Sequence, residues 1–286
     1  MSDIKFSLIS FDGLSELAQS LLEKISNAIG WIATRNTPKR LALQTYIDEI
    51  KNGSFDPITK AVLISNAKKT IAEYANQSSI VQHAITNMKE TAHPELVEDD
   101  WISQFMDKAR LVSDSDFQLI WGRILAEECN IPGSVPRSLL HTLEQMDRHD
   151  AENFTILASF SVYVLENGDR NYSPVIIEKY LKTYYEKHGL DFDALIDLQA
   201  LGLVKASIGR FTPEYCSSYS ETPIHVKYFD KQYQLPNNTF DLPVGNVLFT
   251  KAGQALCHAI ETEEQTDFFE QYCIPFWRER LKQTKS

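Results

Sequence analysis

Between residues 113 and 146 the apolar side chains recur at a spacing that fits an α-helix and nothing else. Phe117, Ile120, Trp121, Ile124 and Leu125 fall on one face at 3.6 residues per turn. The segment "NIPGS" breaks the run, and Leu139, Leu140, Leu143 and Met146 resume it after Pro136. A chain built on this block places two short helices back to back. Ser113 followed by Asp116 resembles a capping box for the first, and Asp147 is placed to cap a third helix. Gly122 costs about 1 kcal/mol relative to Ala inside a helix. Beside Trp121 it predicts the close approach of another helix.

The same block carries charge. Arg123 and Glu127 stand one turn apart, Glu128 follows, and Arg137, His141 and Glu144 lie on the second helix. These six are the candidate interaction surface, read as solvated ion pairs on the outer face of a helical hairpin. Trp101, Phe105, Trp121, Ile124, Leu125, Leu140 and Leu143 are the expected core. A di-iron bundle would need Glu-x-x-His on two helices plus two more glutamates, and His141-x-x-Glu144 is a single element in reverse order. A zinc hydrolase helix would need His-Glu-x-x-His, which does not occur. His83, His93, His149, His188, His225 and His258 are scattered without ligand spacing. No Gly-rich phosphate loop or G-x-S-x-G elbow appears. No catalytic residue, metal or cofactor is assigned, and a non-enzymatic role is expected.

Upstream, "FDGLSELAQSLLEKISNAIGWIATRNTP" reads as a helix over 13–33. Asp12 is its expected cap, and its stripe is Leu14, Leu17, Leu21, Leu22, Ile25, Ile29 and Ile32. That stripe predicts packing within the domain or self-association. Contact with a membrane surface ranks below both, because interfacial helices prefer a cationic polar face and this one holds Glu16, Glu23 and a single Lys24. Residues 38–51, 57–75 and 78–92 read as further helices, divided at "NGSFDP" and "NQSS". Four more short helical segments are expected between 101 and about 165.

After residue 168 the character changes. "VIIEKYLKTYYEKHG" and "DFDALIDLQALGLV" read as helices, whereas "VKASIGRF", "IHVKYFDKQYQL" and "NVLFT" have the β-branched and aromatic content of strands. The expected class is therefore mainly α: a helical domain at 12–167, then a smaller α+β domain at 168–286.

The net charge of −11, with 13 Lys/Arg against 19 Asp/Glu over residues 150–286, gives no strong nucleic-acid signal. Cys129, Cys216, Cys257 and Cys273 form no CxxC pair, which fits free thiols in a reducing cytoplasm. No run approaches the ~18 apolar residues of a transmembrane span, and no signal peptide is read at the N-terminus.

Residues 99–154 carry a more specific pattern. D-W-x-x-x-F begins at Asp100, Trp101 and Phe105. Gln118, Trp121, Gly122, Arg123, Ile124, Leu125, Ala126 and Glu128 follow. Pro132, Gly133, Ser134, Arg137, Leu140 and Leu143 complete it. This block resembles the signature of an uncharacterised bacterial domain-of-unknown-function family (number 2806), and "LLEKISNAIG" at 21–30 is similar to that family's opening helix. The order of a "W-x-x-L-L-A" helix, a break and "L-x-x-L" is also similar to abortive-infection alpha-like proteins, a likeness that implies phage defence and names no activity. "LIDLQALGLV" with the distant "VLFTKAGQALCHAI" resembles a winged-helix domain, although more than forty residues separate Val204 from Phe249. Its recognition helix would be acidic, which implies contact with a protein rather than a DNA-reading regulator.

Overall fold

The computed structural model describes residues 15–31, 39–166, 169–211, 225–234 and 242–283. Asp12, Leu14, Ile32, Pro38 and Cys216 lie outside them. The chain divides into two compact units, 1–140 and 141–286.

The first unit is helical throughout its described residues. Helix α1 (Glu16–Ile29) is capped by Ser15, whose side chain accepts from the Ala18 amide, and it ends at Gly30 in the left-handed conformation. Ala18, Leu21, Leu22 and Ile25 are buried. Helix α2 is Lys39–Asn52, and α3 (Pro57–Asn87) starts on an Asp56 cap with Pro57 in its first turn. A short 3₁₀ turn at Pro94–Leu96 leads into α4 (Asp99–Ala109), whose first turn holds Asp99 and Asp100 at the positive end of the helix dipole. The apolar face of α1 packs on α4, α3 and the 3₁₀ turn, and Lys24 pairs with Asp99 at 2.6 Å. Of the stripe on α1, Leu21, Leu22 and Ile25 are thus buried inside the unit, Leu17 is half-buried and Ile29 is exposed.

Helix α3 runs unbroken for 31 residues, where the polar "NQSS" suggested a division. Its polar residues are tertiary donors instead of breakers. Asn76 Nδ2 donates to the Arg110 carbonyl at 2.9 Å and Gln77 Nε2 to the Met106 carbonyl at 2.9 Å. The Arg110 carbonyl lies just past the last turn of α4, and the Met106 carbonyl, which also accepts from the Arg110 amide, gains a second donor. Helix α5 (Ser115–Asn130) then crosses α3 closely. A Cβ on Gly122 would lie 2.3 Å from the His83 Cβ and 2.9 Å from the Ile80 carbonyl oxygen. The α5 cap is Asp114, not Ser113: its carboxylate accepts from the Asp116 and Phe117 amides.

The units divide within α6 (Arg137–Gln145), upstream of the 167/168 boundary suggested by the change in residue character. Helix α7 (Arg148–Ser159), begun by a capping box of Asp147 and Asp150, belongs to the second unit. Its Phe154 ring lies 5.6 Å from that of Phe249, and its Ser159 carbonyl accepts from the Tyr228 hydroxyl at 2.9 Å. The fourth helical segment expected before 165 stops at Ser159. Strand β1 (Ser161–Glu166) follows, and pairs antiparallel with β2 (Asp169–Pro174), in a region where the sequence predicts no strand.

Residues 178–188 form a distorted helical stretch with a π-helical turn at Leu181–Tyr185. Helix α8 is Phe192–Ala200, capped by Asp191, and β3 is Val204–Phe211. The hairpin of β4 (His225–Tyr228) and β5 (Lys231–Gln234) joins β1, giving a four-stranded sheet ordered β2-β1-β4-β5. Strand β6 (Gly245–Phe249) pairs with β3, and Ile176 bridges to Gly245. A side chain at Gly245 would stand 1.8 Å from the Ile176 carbonyl oxygen, so that bridge requires glycine.

Helix α8, β3 and β6 follow one another as helix, strand and strand do in a winged helix. The long gap between the two strands holds the β4–β5 hairpin, which serves a different sheet. Thr250 caps α9 (Lys251–Ala259), and its hydroxyl also donates to the Gly202 carbonyl at 2.6 Å. Helix α10 (Ile274–Gln283) follows a second π-helical turn at Phe268–Cys273. Phe160, Tyr184, Tyr185, Tyr228, Phe268 and Trp277 form the aromatic core of this unit. The buried tyrosine hydroxyls have partners: that of Tyr185 donates to the Val175 carbonyl at 2.7 Å.

Gly122→Ala should lower stability by about 1–3 kcal/mol through overpacking, although alanine gains about 1 kcal/mol in intrinsic helix propensity. Urea titration of the full chain measures the difference. A stabilised variant would mean that α3 and α5 do not meet at this glycine.

Candidate functional site

The charged residues of the 113–146 block differ in exposure. Trp101, Phe105, Trp121, Ile124, Leu125, Leu140 and Leu143 are all buried, with the Phe105 ring 5.1 Å from that of Trp101 and 5.2 Å from that of Trp121. Arg123 and Glu127 are half-buried on α5. Arg137 is exposed and pairs with Glu98 at 2.8 Å, an acid from the start of α4. His141 and Glu144 are exposed on the part of α6 that belongs to the second unit.

Glu128 departs furthest from the expected outer face. It is 2% exposed. One carboxylate oxygen accepts from the Gly133 amide at 2.7 Å and the other from the Val135 amide at 2.8 Å. The Val135 carbonyl in turn accepts from Trp101 Nε1 at 3.0 Å. Gly133 supplies a left-handed residue (φ 85°) where the chain reverses after α5. The spacing from Glu128 through Pro132-Gly133-Ser134 is therefore a turn clamp: a buried carboxylate holds two backbone donors that the reversal would otherwise leave unpaired. Burial raises the carboxyl above the ordinary glutamate range against the opposing pull of those two amides, and the neighbouring Glu98 and Glu127 charges push the same way as burial. With both oxygens occupied by its own backbone, Glu128 is a structural acid.

A second polar cluster, not foreseen as a site, lies where α3 meets the α4–α5 turn. Gln118 Nε2 donates to the Val112 carbonyl at 2.8 Å and to Asn76 Oδ1 at 3.3 Å. Arg110 bridges Glu73 at 2.6 Å and Asp107 at 3.0 Å. Gln118 belongs to the same helical face as Trp121 and Leu125, so a polar residue within an apolar stripe was the available signal.

The thiols among the described residues are sequestered. Cys129, Cys257 and Cys273 are free and buried. Desolvation, helped by Glu128 and Glu95, pushes Cys129 up to about 12. Among the described residues no three His, Cys, Asp or Glu side chains gather to hold a metal, and no helix is long and apolar enough to cross a membrane.

Apolar pairs one turn apart stay exposed on α3, at Ile58 and Val62, and on α8, where acids flank the pair. Ala194, Leu195 and Leu198 face inward. The outer side presents Phe192 at 61% and Ile196 at 50% exposure, one turn apart, beside exposed Asp193 and Asp197. The helix contains no Lys or Arg.

With a helical first unit, the Trp101–Trp121–Glu128 arrangement and the α8–β3–β6 element in place, the comparison with known families is specific. The chain belongs to the family described as "Protein of unknown function (DUF2806)", whose model matches residues 65–273, spanning both units. No curated protein and no solved structure matches it.

Two outcomes follow for Glu128. Replacing it with Ala orphans two amides at about 1–3 kcal/mol each, whereas Glu127→Ala should stay within about 0.5 kcal/mol; chemical denaturation of both variants decides. The pH dependence has a definite sign. A carboxyl raised in the folded state binds its proton more readily there, so its contribution to stability is complete below the unfolded value and fades as pH rises through the folded one. The stability gap between the native chain and Glu128→Gln should therefore narrow with rising pH above the ordinary glutamate range. A gap that widens would reverse the assignment.

Proposed function

We propose that this chain is a cytoplasmic protein-interaction module that docks a protein through the outer face of α8. The carrying observation is the exposed Phe192/Ile196 pair beside Asp193 and Asp197. Exposed aromatic and aliphatic groups at one-turn spacing are the anchors that protein partners bury. The same carboxylates disfavour the winged-helix regulator reading, because a helix entering the major groove meets phosphate on both sides. The membrane-surface reading is weakened by the burial of Leu21, Leu22 and Ile25 of the α1 stripe within the first unit. A catalytic reading of Arg123, Glu127, Glu128 and His141 is disfavoured by the closed hydrogen bonding of Glu128. A place in phage defence rests on the likeness of residues 121–143 to abortive-infection alpha-like proteins.

The test is site-specific crosslinking in a bacterial host. Phe192 replaced by a photoreactive phenylalanine should yield protease-sensitive adducts, lost when Ile196 becomes Lys. In parallel, purified protein should bind duplex DNA with a Kd weaker than roughly 10⁻⁵ M at physiological salt. Crosslinks to nucleic acid, or tight sequence-dependent DNA binding, would overturn the reading.

A further inference from the structure

The second unit carries a surface of opposite charge to α8. In the β2-β1-β4-β5 sheet, Val162, Val164, Val226 and Tyr228 point into the core. By alternation and register, Tyr163, Leu165, Arg170 and Lys227 share the other face: Tyr163 stands opposite Lys227 on β4, and Leu165 opposite Arg170 on β2. Leu165 is 48% exposed, His225 at the end of β4 is exposed, and the Arg170 guanidinium lies 5.0 Å over the Tyr163 ring. The acids of the four strands are Glu166 and Asp169, paired at the β1–β2 end of the sheet. Arg170 and Lys227 make the face of Tyr163 and Leu165 locally cationic and part apolar in a chain of net charge −11.

We infer that the β2-β1-β4 face receives α8 of a second copy of this chain. The face is partly open: Tyr172, which shares it opposite Tyr163, is half-buried with its ring 5.2 Å from that of His258 on α9 and its hydroxyl bonded by Arg170. An open stretch of sheet is ordinarily completed by a helix laid upon it. Helix α8 is about 13 Å long and the outer two of three adjacent strands are about 10 Å apart, so one α8 spans the face. Phe192 and Ile196 match Tyr163 and Leu165, while Asp193 and Asp197 meet Arg170 and Lys227. Both surfaces belong to one compact unit, so the contact is head-to-tail: each copy donates its helix and receives another, and growth continues unless a ring closes. The inference rests on the reading of α8 as a protein-docking surface and names the partner. Crosslinks from position 192 to a different polypeptide would leave that reading standing and end this one.

The full chain tests it by sedimentation velocity. Its mass should rise with protein concentration and fall with added salt. Ile196→Lys alone, and Arg170→Glu with Lys227→Glu alone, should each be monomeric with native circular dichroism and melting. Mixed in equal amounts, the two should form a dimer that grows no further, because one intact helix and one intact sheet face survive between them. If either variant unfolds, Phe192→Glu and Leu165→Glu, both at exposed positions, replace them. A native chain that stays monomeric at all concentrations, a variant that still assembles by itself, or a mixture that remains monomeric overturns the inference. So does a monomeric native chain whose sheet face instead binds a labelled single-stranded oligonucleotide through Arg170 and Lys227.

Discussion

The first unit depends on how closely α5 approaches α3. Without a side chain at residue 122 the helix backbones can meet at Ile80, His83 and Ala84, and that closeness lets Trp121 fill the space beside Phe105. It also brings Gln118 within reach of Asn76. A glycine that weakens α5 as an isolated helix is thus what allows its tertiary contacts, and packing outweighs propensity here as it does in most protein helices.

From that crossing the chain must reverse toward α6, and the reversal is where charge enters. Ionised carboxylates are rarely buried unless their oxygens are fully engaged, and Glu128 meets that condition with the backbone alone. It resembles a capping side chain operating over five to seven residues. Trp101 closes the arrangement by donating to the carbonyl of Val135, whose amide Glu128 holds, so α4, the end of α5 and the turn form one hydrogen-bonded assembly.

Much of this was legible in the sequence, and the failures have identifiable causes. The 3.6-residue period placed α5 and α6, and Gly122 beside Trp121 signalled the helix contact. Glu128 was misplaced because its charge was weighed before its position. It continues the face of Trp121, Ile124 and Leu125, and a polar residue in a core stripe marks a buried hydrogen bond. "NQSS" failed for a related reason: Asn and Gln lower helix propensity only slightly, and the Arg110 and Met106 carbonyls offset that loss. Strands β1 and β2 escaped because "SVYVLE" follows a helix directly and "DRNYSP" carries few β-formers. The outer faces of α8 and of the four-stranded sheet depend on which residues remain exposed after folding, and a linear pattern does not contain that information.

Glu128 is thus a buried acid that shapes the first unit, whereas Asp193 and Asp197 stay exposed on α8, the surface proposed for docking. Amide hydrogen exchange measured residue by residue tests the role of Glu128 most directly. In the native chain the Gly133 and Val135 amides should be protected to the same degree as the interior of α5, and in Glu128→Gln at least one should exchange much faster while Ile124 and Leu125 keep their protection. Rapid exchange at both amides in the native chain would contradict the account, since it would leave Glu128 free for other work.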